Sequence, residues 1–133
     1  MDLPFERAQR MVALAAKEAM MRYQRSICVA IYDRQGALVV FARMDDAPER
    51  SVKIAQCKAY TSARMRMDTV AFDAQLREKN TPIAYYCDQQ FTGIPGGCVL
   101  KDADGKVIGG VGISGLAADE DAAVSAIVAK SYD

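Results

Sequence analysis

The stretch VIGGVGISGLAADED, Val107 to Asp121, holds four glycines and a serine within nine residues, ahead of an acidic run and an apolar tail. Its reading decides the fold. A dinucleotide-binding fingerprint would place its glycines at the turn between a strand and a helix, inside a parallel βαβ unit. Here the glycines begin within the apolar run itself. The preceding run, Cys98 to Lys101, is joined to it by the tight DADG turn, which makes the pair antiparallel and removes the crossover that forms a nucleotide crevice. A nucleophile elbow needs G-x-S-x-G; Gly112 supplies the first glycine, Leu116 replaces the second, and the chain has no histidine to complete a triad. What remains is steric. Gly109, Gly110 and Gly112 clear a bare strip along a strand, for a helix packed close or for a flat ligand.

Working outward, ICVAIYD and ALVVFARM are dense in β-branched and aromatic residues and flank the turn DRQG, so they read as a first hairpin. Both strands are apolar at odd and even positions, which predicts helices on both faces of the sheet. Residues 4–23 carry Phe5, Ala8, Val12, Ala15, Ala16, Ala19, Met20 and Tyr23 at steps of three and four, an amphipathic first helix opened by Pro4. A second helix runs from Ser51, a candidate N-cap, to about Met67, with Val52, Ala55, Ala59 and Ala63 on one stripe. DTVAFDAQLREKN adds a short third helix. Residues 81–97 are irregular around GIPGG. The second hairpin spans Cys98 to Lys101 and Lys106 to Ser114, and ADED opens a last helix with its charge set against the helix dipole. The order is helix, hairpin, helices, hairpin, helix. It predicts one α+β domain over residues 1–133, with helices packed on an antiparallel sheet.

Composition excludes several classes. The 17 Lys+Arg balance the 17 Asp+Glu, so no global field draws nucleic acid or an anionic membrane. No apolar run reaches the length of a membrane span, and the start MDLPFERAQR lacks the basic-then-apolar order of a secretion signal, which suits a cytoplasmic protein. Cys28, Cys57, Cys87 and Cys98 stand apart with no C-x-x-C pair, and read as small buried thiols in a reducing compartment. The absent histidine removes the commonest general base and the commonest protein ligand for haem iron.

Taken together and in order, AIYDRQGALVVFARMDDA, KAYTSA, IPGG, and DGKVIGGVGISG followed by DED resemble the GlcG-like, HbpS-like, haem-degrading domain family. That family also supplies the C-terminal domain of PduO-type corrinoid adenosyltransferases. The resemblance covers essentially the whole chain. It implies a profilin-like fold, with a five-stranded antiparallel sheet between helical layers, and homo-oligomers built from dimers. It also implies haem, iron, corrinoid or small organic acids as ligands. Without histidine, haem ligation here falls to Met, Cys, Tyr or a hydroxyl, or leaves an open position on the iron.

The expected site is a cleft beside the second helix. Arg43, at a strand end, could clamp a carboxylate. Lys58 opens KAYTSA, which resembles the family's K-A-x-T-A, and the resemblance implies that it points into the cleft, with the Gly96–Gly97 loop and the Ser114–Gly115 helix entrance; backbone N–H groups at such an entrance hold carboxylates. Cys98, beside the glycine loop, is the thiol to test for reactivity. Asp46 and Glu49 resemble the family's acidic metal-binding pair. The main expectation is a binding module for a flat or acidic small molecule. A second is an enzyme acting on a small carbonyl or hydroxy acid, with Lys58 as base or imine-forming amine and Asp45 assisting. A third is a structural subunit of an oligomer.

Overall fold

The two hairpins share one turn chemistry. Asp33 Oδ1 accepts the N–H groups of Gln35 and Ala37 at 2.9 and 3.0 Å, and Asp102 Oδ1 accepts those of Asp104 and Lys106, both at 2.9 Å. The carboxylate mimics a backbone acceptor and fixes the reversal, so each D-x-x-G motif closes its own strand pair. A computed structural model describes residues 3–131. Its elements are α1 (Phe5–Tyr23), β1 (Cys28–Asp33), β2 (Leu38–Arg43), α2 (Ser51–Met65), α3 (Thr69–Glu78), a 3-10 turn (Ile83–Tyr86), β3 (Gly97–Lys101), β4 (Val107–Ser114) and α4 (Ala118–Ala129).

All strand pairings are antiparallel, in the order β2-β1-β4-β3. The hairpins join through β1 and β4, which become the central strands. Among the described residues the sheet therefore has four strands, not the five that the resemblance implied. The tract between α3 and β3, broken by Pro82, Pro95 and its glycines, supplies a 3-10 turn and loop where a further strand would have to lie.

Strand alternation sorts the core into two unequal layers. Ile27, Val29, Ile31, Leu100, Val111 and Ile113 meet α1 and α4, through Ala8, Met11, Ala15, Ala19, Val124 and Val128. Cys28, Ala30 and Tyr32 face the other way, toward Ala55, Ala59, Tyr60 and Ala63 of α2. One layer is thick and branched; the other is thin and built of small residues. On the thin side a Cβ on Gly110 or Gly112 would come within 3.0 Å of α2 backbone atoms, at Ala59 and Ala63 or at Ala55 and Ala59. The bare strip thus seats a helix, and no flat ligand has room there. β1 is buried on both faces as expected. β2 is an edge strand and stays half-exposed, with Leu38 exposed.

One boundary differs from expectation. Ser51 is the first residue of α2, Arg50 holds the cap position, and no side chain caps the end. Asp68 holds the cap position of α3, and its Oδ1 accepts the Val99 N–H at 2.9 Å, tying α3 to β3. Among the described residues no helix is long and apolar enough to cross a membrane.

Candidate functional site

Because the glycine strip lets α2 settle close to the sheet, the side chain of Lys58 passes over the C-terminal end of β4. Its Nζ donates to the Ile113 carbonyl at 2.7 Å and to Asp121 Oδ2 at 3.1 Å. The second carboxylate oxygen, Oδ1, accepts the Leu116 N–H at 3.0 Å. The two side chains are 1% and 4% exposed. One ion pair therefore ties α2, the end of β4 and the first turn of α4. Removing two charges from water costs several kcal/mol per ion, which an attraction of this kind only partly offsets, so a chain gains little stability by keeping such a pair. The pair is thus a buried charge cluster that packing alone does not require.

Burial pushes the Lys58 ammonium below its ordinary value, and Asp121 opposes that shift. Burial likewise pushes the Asp121 carboxyl up, against the stabilising effect of Lys58 and of the Leu116 N–H. Desolvation is the larger cause for both. Each partner is easier to neutralise than its exposed counterpart.

The pair forms the floor of an open cleft of about 230 Å³. Ser114, Gly115 and Ala118 make one wall, where β4 hands over to α4; Arg50, Ser51 and Ile54 make the other, at the start of α2; Ile94 closes it from the loop. Gly115 turns the chain with φ +131, which side-chain-bearing residues rarely adopt. Gly96 has φ +122, and a Cβ there would stand 2.8 Å from Lys58 Nζ. The amine occupies the space that this glycine leaves.

Of the residues singled out by sequence, Lys58, Ser114 and Gly115 come together in this cleft, and Gly96 abuts its amine. Gly97 lies beneath α2, facing the Lys58 carbonyl and Ser62, with its N–H donated to Thr69 Oγ1 at 3.0 Å. Cys98 points to the opposite side of the sheet, into the α4 layer. Its Sγ is 3.2 Å from Ser125 Oγ, and burial pushes its pKa up to about 11, so it is a structural thiol and not a reactive one. Arg43 is committed to the Ala47 carbonyl, through Nε at 3.2 Å and Nη2 at 2.8 Å, and does not line the cleft. Asp45, Asp46 and Glu49 are exposed on the loop before α2 and do not line it either. No group of three or more potential metal ligands occurs among the described residues. The cysteines are all free; Cys28 and Cys98 are buried, Cys57 is half-buried, and Cys87 is exposed.

Sequence reasoning missed Asp121, which it had assigned to the helix dipole, and Arg50 and Ser51, which it had passed over or read as a cap. The available signal was the last acidic residue of DED. It stands three residues before Val124 and seven before Val128, on the buried face of α4.

Three comparisons bear on this geometry. A family model described as haem degrading protein HbpS-like matches residues 3–129. Protein GlcG of Escherichia coli strain K12 is 32% identical over 103 residues, covering 77% of this chain and 75% of that protein. Among solved structures, a PduOC:heme complex is similar with TM-score 0.84 and 27% identity, covering 98% of this chain and 96% of that one. A double mutant of Streptomyces reticuli HbpS gives TM-score 0.83 and 26% identity over 96% and 84%.

Proposed function

The chain belongs to the haem degrading protein HbpS-like family, and from that premise we propose that it is a small-molecule-binding protein whose ligand enters the cleft beside α2. One observation carries this reading. A buried ion pair, Lys58 with Asp121, sits at the floor of an open cleft, where a packing role alone would have favoured apolar side chains. The four helices on an antiparallel sheet are compatible with the profilin-like fold that the resemblance implies. Homo-oligomers built from dimers belong to the same proposal.

Haem is the ligand that the solved PduOC:heme complex brings to mind. The cleft lining contains no Met, Cys or Tyr, and the chain has no histidine, so no usual axial ligand faces the space. At about 230 Å³ it is also smaller than the roughly 300–1,000 Å³ pockets that enclose drug-sized ligands. An enclosed, iron-ligated haem does not fit these residues. A carboxylate-bearing molecule does, whether a small acid or the propionate edge of a tetrapyrrole whose ring stays outside.

Optical titration with hemin and cobalamin, together with amide NMR titration with small carboxylates, tests the reading. Binding should move the Ser114, Gly115 and Lys58 amides. If hemin, cobalamin and carboxylates all leave those resonances unmoved, the cleft is not a binding site.

A second reading rests on the lowered Lys58 pKa. Imine formation with a small carbonyl compound requires an amine that reaches the cleft and gives up its proton, and burial makes that loss easier for Lys58. Asp121, not Asp45, is the acid placed to assist. Borohydride reduction in the presence of a 2-oxo acid should then add mass at Lys58; an unchanged mass removes this reading.

A further inference from the structure

Resting on that binding reading, we propose that the cleft recognises a small monocarboxylate carrying a neighbouring hydroxyl, anchored by Arg50, Ser51 and Ser114. Three independent features of the lining lead there. The first is charge. Arg50 and Lys58 contribute two positive charges and Asp121 one negative, so the lining is left with one uncompensated cation, which a single carboxylate neutralises. Arg50 makes no hydrogen bond or ion pair with a side chain among the described residues, and its fork of donors suits a carboxylate.

The second feature is unmet polar capacity. Ser51 and Ser114 line the cleft, and their hydroxyls, which stay accessible to water and are not among the buried unpaired atoms, make no hydrogen bond to another group among the described residues. A carboxylate only accepts, whereas each serine oxygen also has lone pairs to offer. A ligand hydroxyl, which both donates and accepts, complements the pair. The first turn of α4 adds to this, because Ala117 in the cap position has no side-chain acceptor and Ala118 borders the cleft.

The third feature is size. A volume of about 230 Å³ accommodates roughly seven or eight water-sized groups, and Ile54, Ile94 and Leu116 offer apolar contact for a short carbon chain. A 2-hydroxy acid of a few carbons fills the space and meets each of these features.

The test is amide NMR titration of the whole chain with lactate, propionate, lactamide, succinate and phosphate, alongside hemin and cobalamin. Lactate should shift Ser51, Ser114, Gly115 and Ala118 and bind about fivefold more tightly than propionate, the worth of one neutral hydrogen bond. Lactamide should not bind. Arg50→Gln, at an exposed position that leaves folding intact, should weaken lactate binding about 10–100-fold, and Ser51→Ala should abolish the preference over propionate. Hemin or cobalamin shifting the cleft while lactate and propionate do not would overturn this inference and leave the binding reading standing. Succinate or phosphate binding more tightly than lactate would overturn the charge argument. No binding by any of the seven compounds would overturn both.

Discussion

Lys58 Nζ and Asp121 Oδ2 lie 3.1 Å apart in the interior, 63 positions distant in sequence, and the amine is held from its other side by the Ile113 carbonyl at 2.7 Å. Three elements depend on this one contact.

Breaking it from one side should be costly. Asp121→Asn leaves a buried ammonium without its counter-charge and should destabilise the fold by about 3–5 kcal/mol, whereas Lys58→Met with Asp121→Leu should recover most of that loss. Urea unfolding of the unaltered protein, the single variant and the double variant measures both changes. A single-variant cost below about 1 kcal/mol would show that the pair is not desolvated as described.

The two shifts have opposite consequences for stability against pH. Asp121 is raised above 3.8, so from 3.8 up to its folded value the native state holds an extra proton, and this group's stabilising contribution is lost as pH rises through that window. Lys58 is lowered below 10.5, so from its folded value up to 10.5 the unfolded state holds more protons, and stability gains as pH rises there. Carboxyl and amine NMR titrations should show the two groups moving as a coupled system. An Asp121 midpoint at or below 3.8 contradicts the burial argument.

The strip beneath α2 predicts a sharp contrast between glycines. Gly112→Ala drives a methyl into the backbone of Ala55 and Ala59 and should cost about 3 kcal/mol or prevent folding. Gly105→Ala meets no atom within 4 Å and should cost only the ~1–2 kcal/mol of a left-handed backbone. Thermal unfolding of both decides it; equal losses would mean that α2 is not seated on the strip.

Thiol labelling should follow exposure, with Cys87 first, Cys57 slower, and Cys28 and Cys98 only on unfolding. The raised pKa of Cys98, about 11, leaves little thiolate at neutral pH. Rapid alkylation of Cys98 in the native protein would contradict its packing against Ser125.

Arg43→Ala should leave ligand binding untouched and remove only the two hydrogen bonds to the Ala47 carbonyl, a loss of about 1 kcal/mol at this exposed site. A binding defect in that variant would return Arg43 to the cleft.

Much of the fold was legible because its signals are local. The D-x-x-G turns carry their own acceptors, α1 repeats its apolar residues at helical spacing, and the first hairpin is dense in β-branched and aromatic residues. The boundary that slipped is the start of α2, where Ser51 looks like a cap in sequence but is already the first helical residue, after Arg50. The strand count followed the resemblance and not the residues, which name only two hairpins.

Sequence by itself determined the two hairpins, the order of the helices, the antiparallel sense of the glycine-rich strand and the nomination of Lys58, Ser114 and Gly115. The hairpins, the helix order and the antiparallel sense rest on contacts within a few residues of one another, whereas Lys58 was nominated through the family resemblance. Only the tertiary structure decided that Asp121 answers Lys58, that Arg50 and Ser51 share their cleft, and that Arg43 and Cys98 are turned to other work. Those outcomes depend on how closely α2 approaches β4, a distance set by Gly110 and Gly112 against Ala55, Ala59 and Ala63. No single segment carries it, because it exists only where the two small-residue surfaces meet.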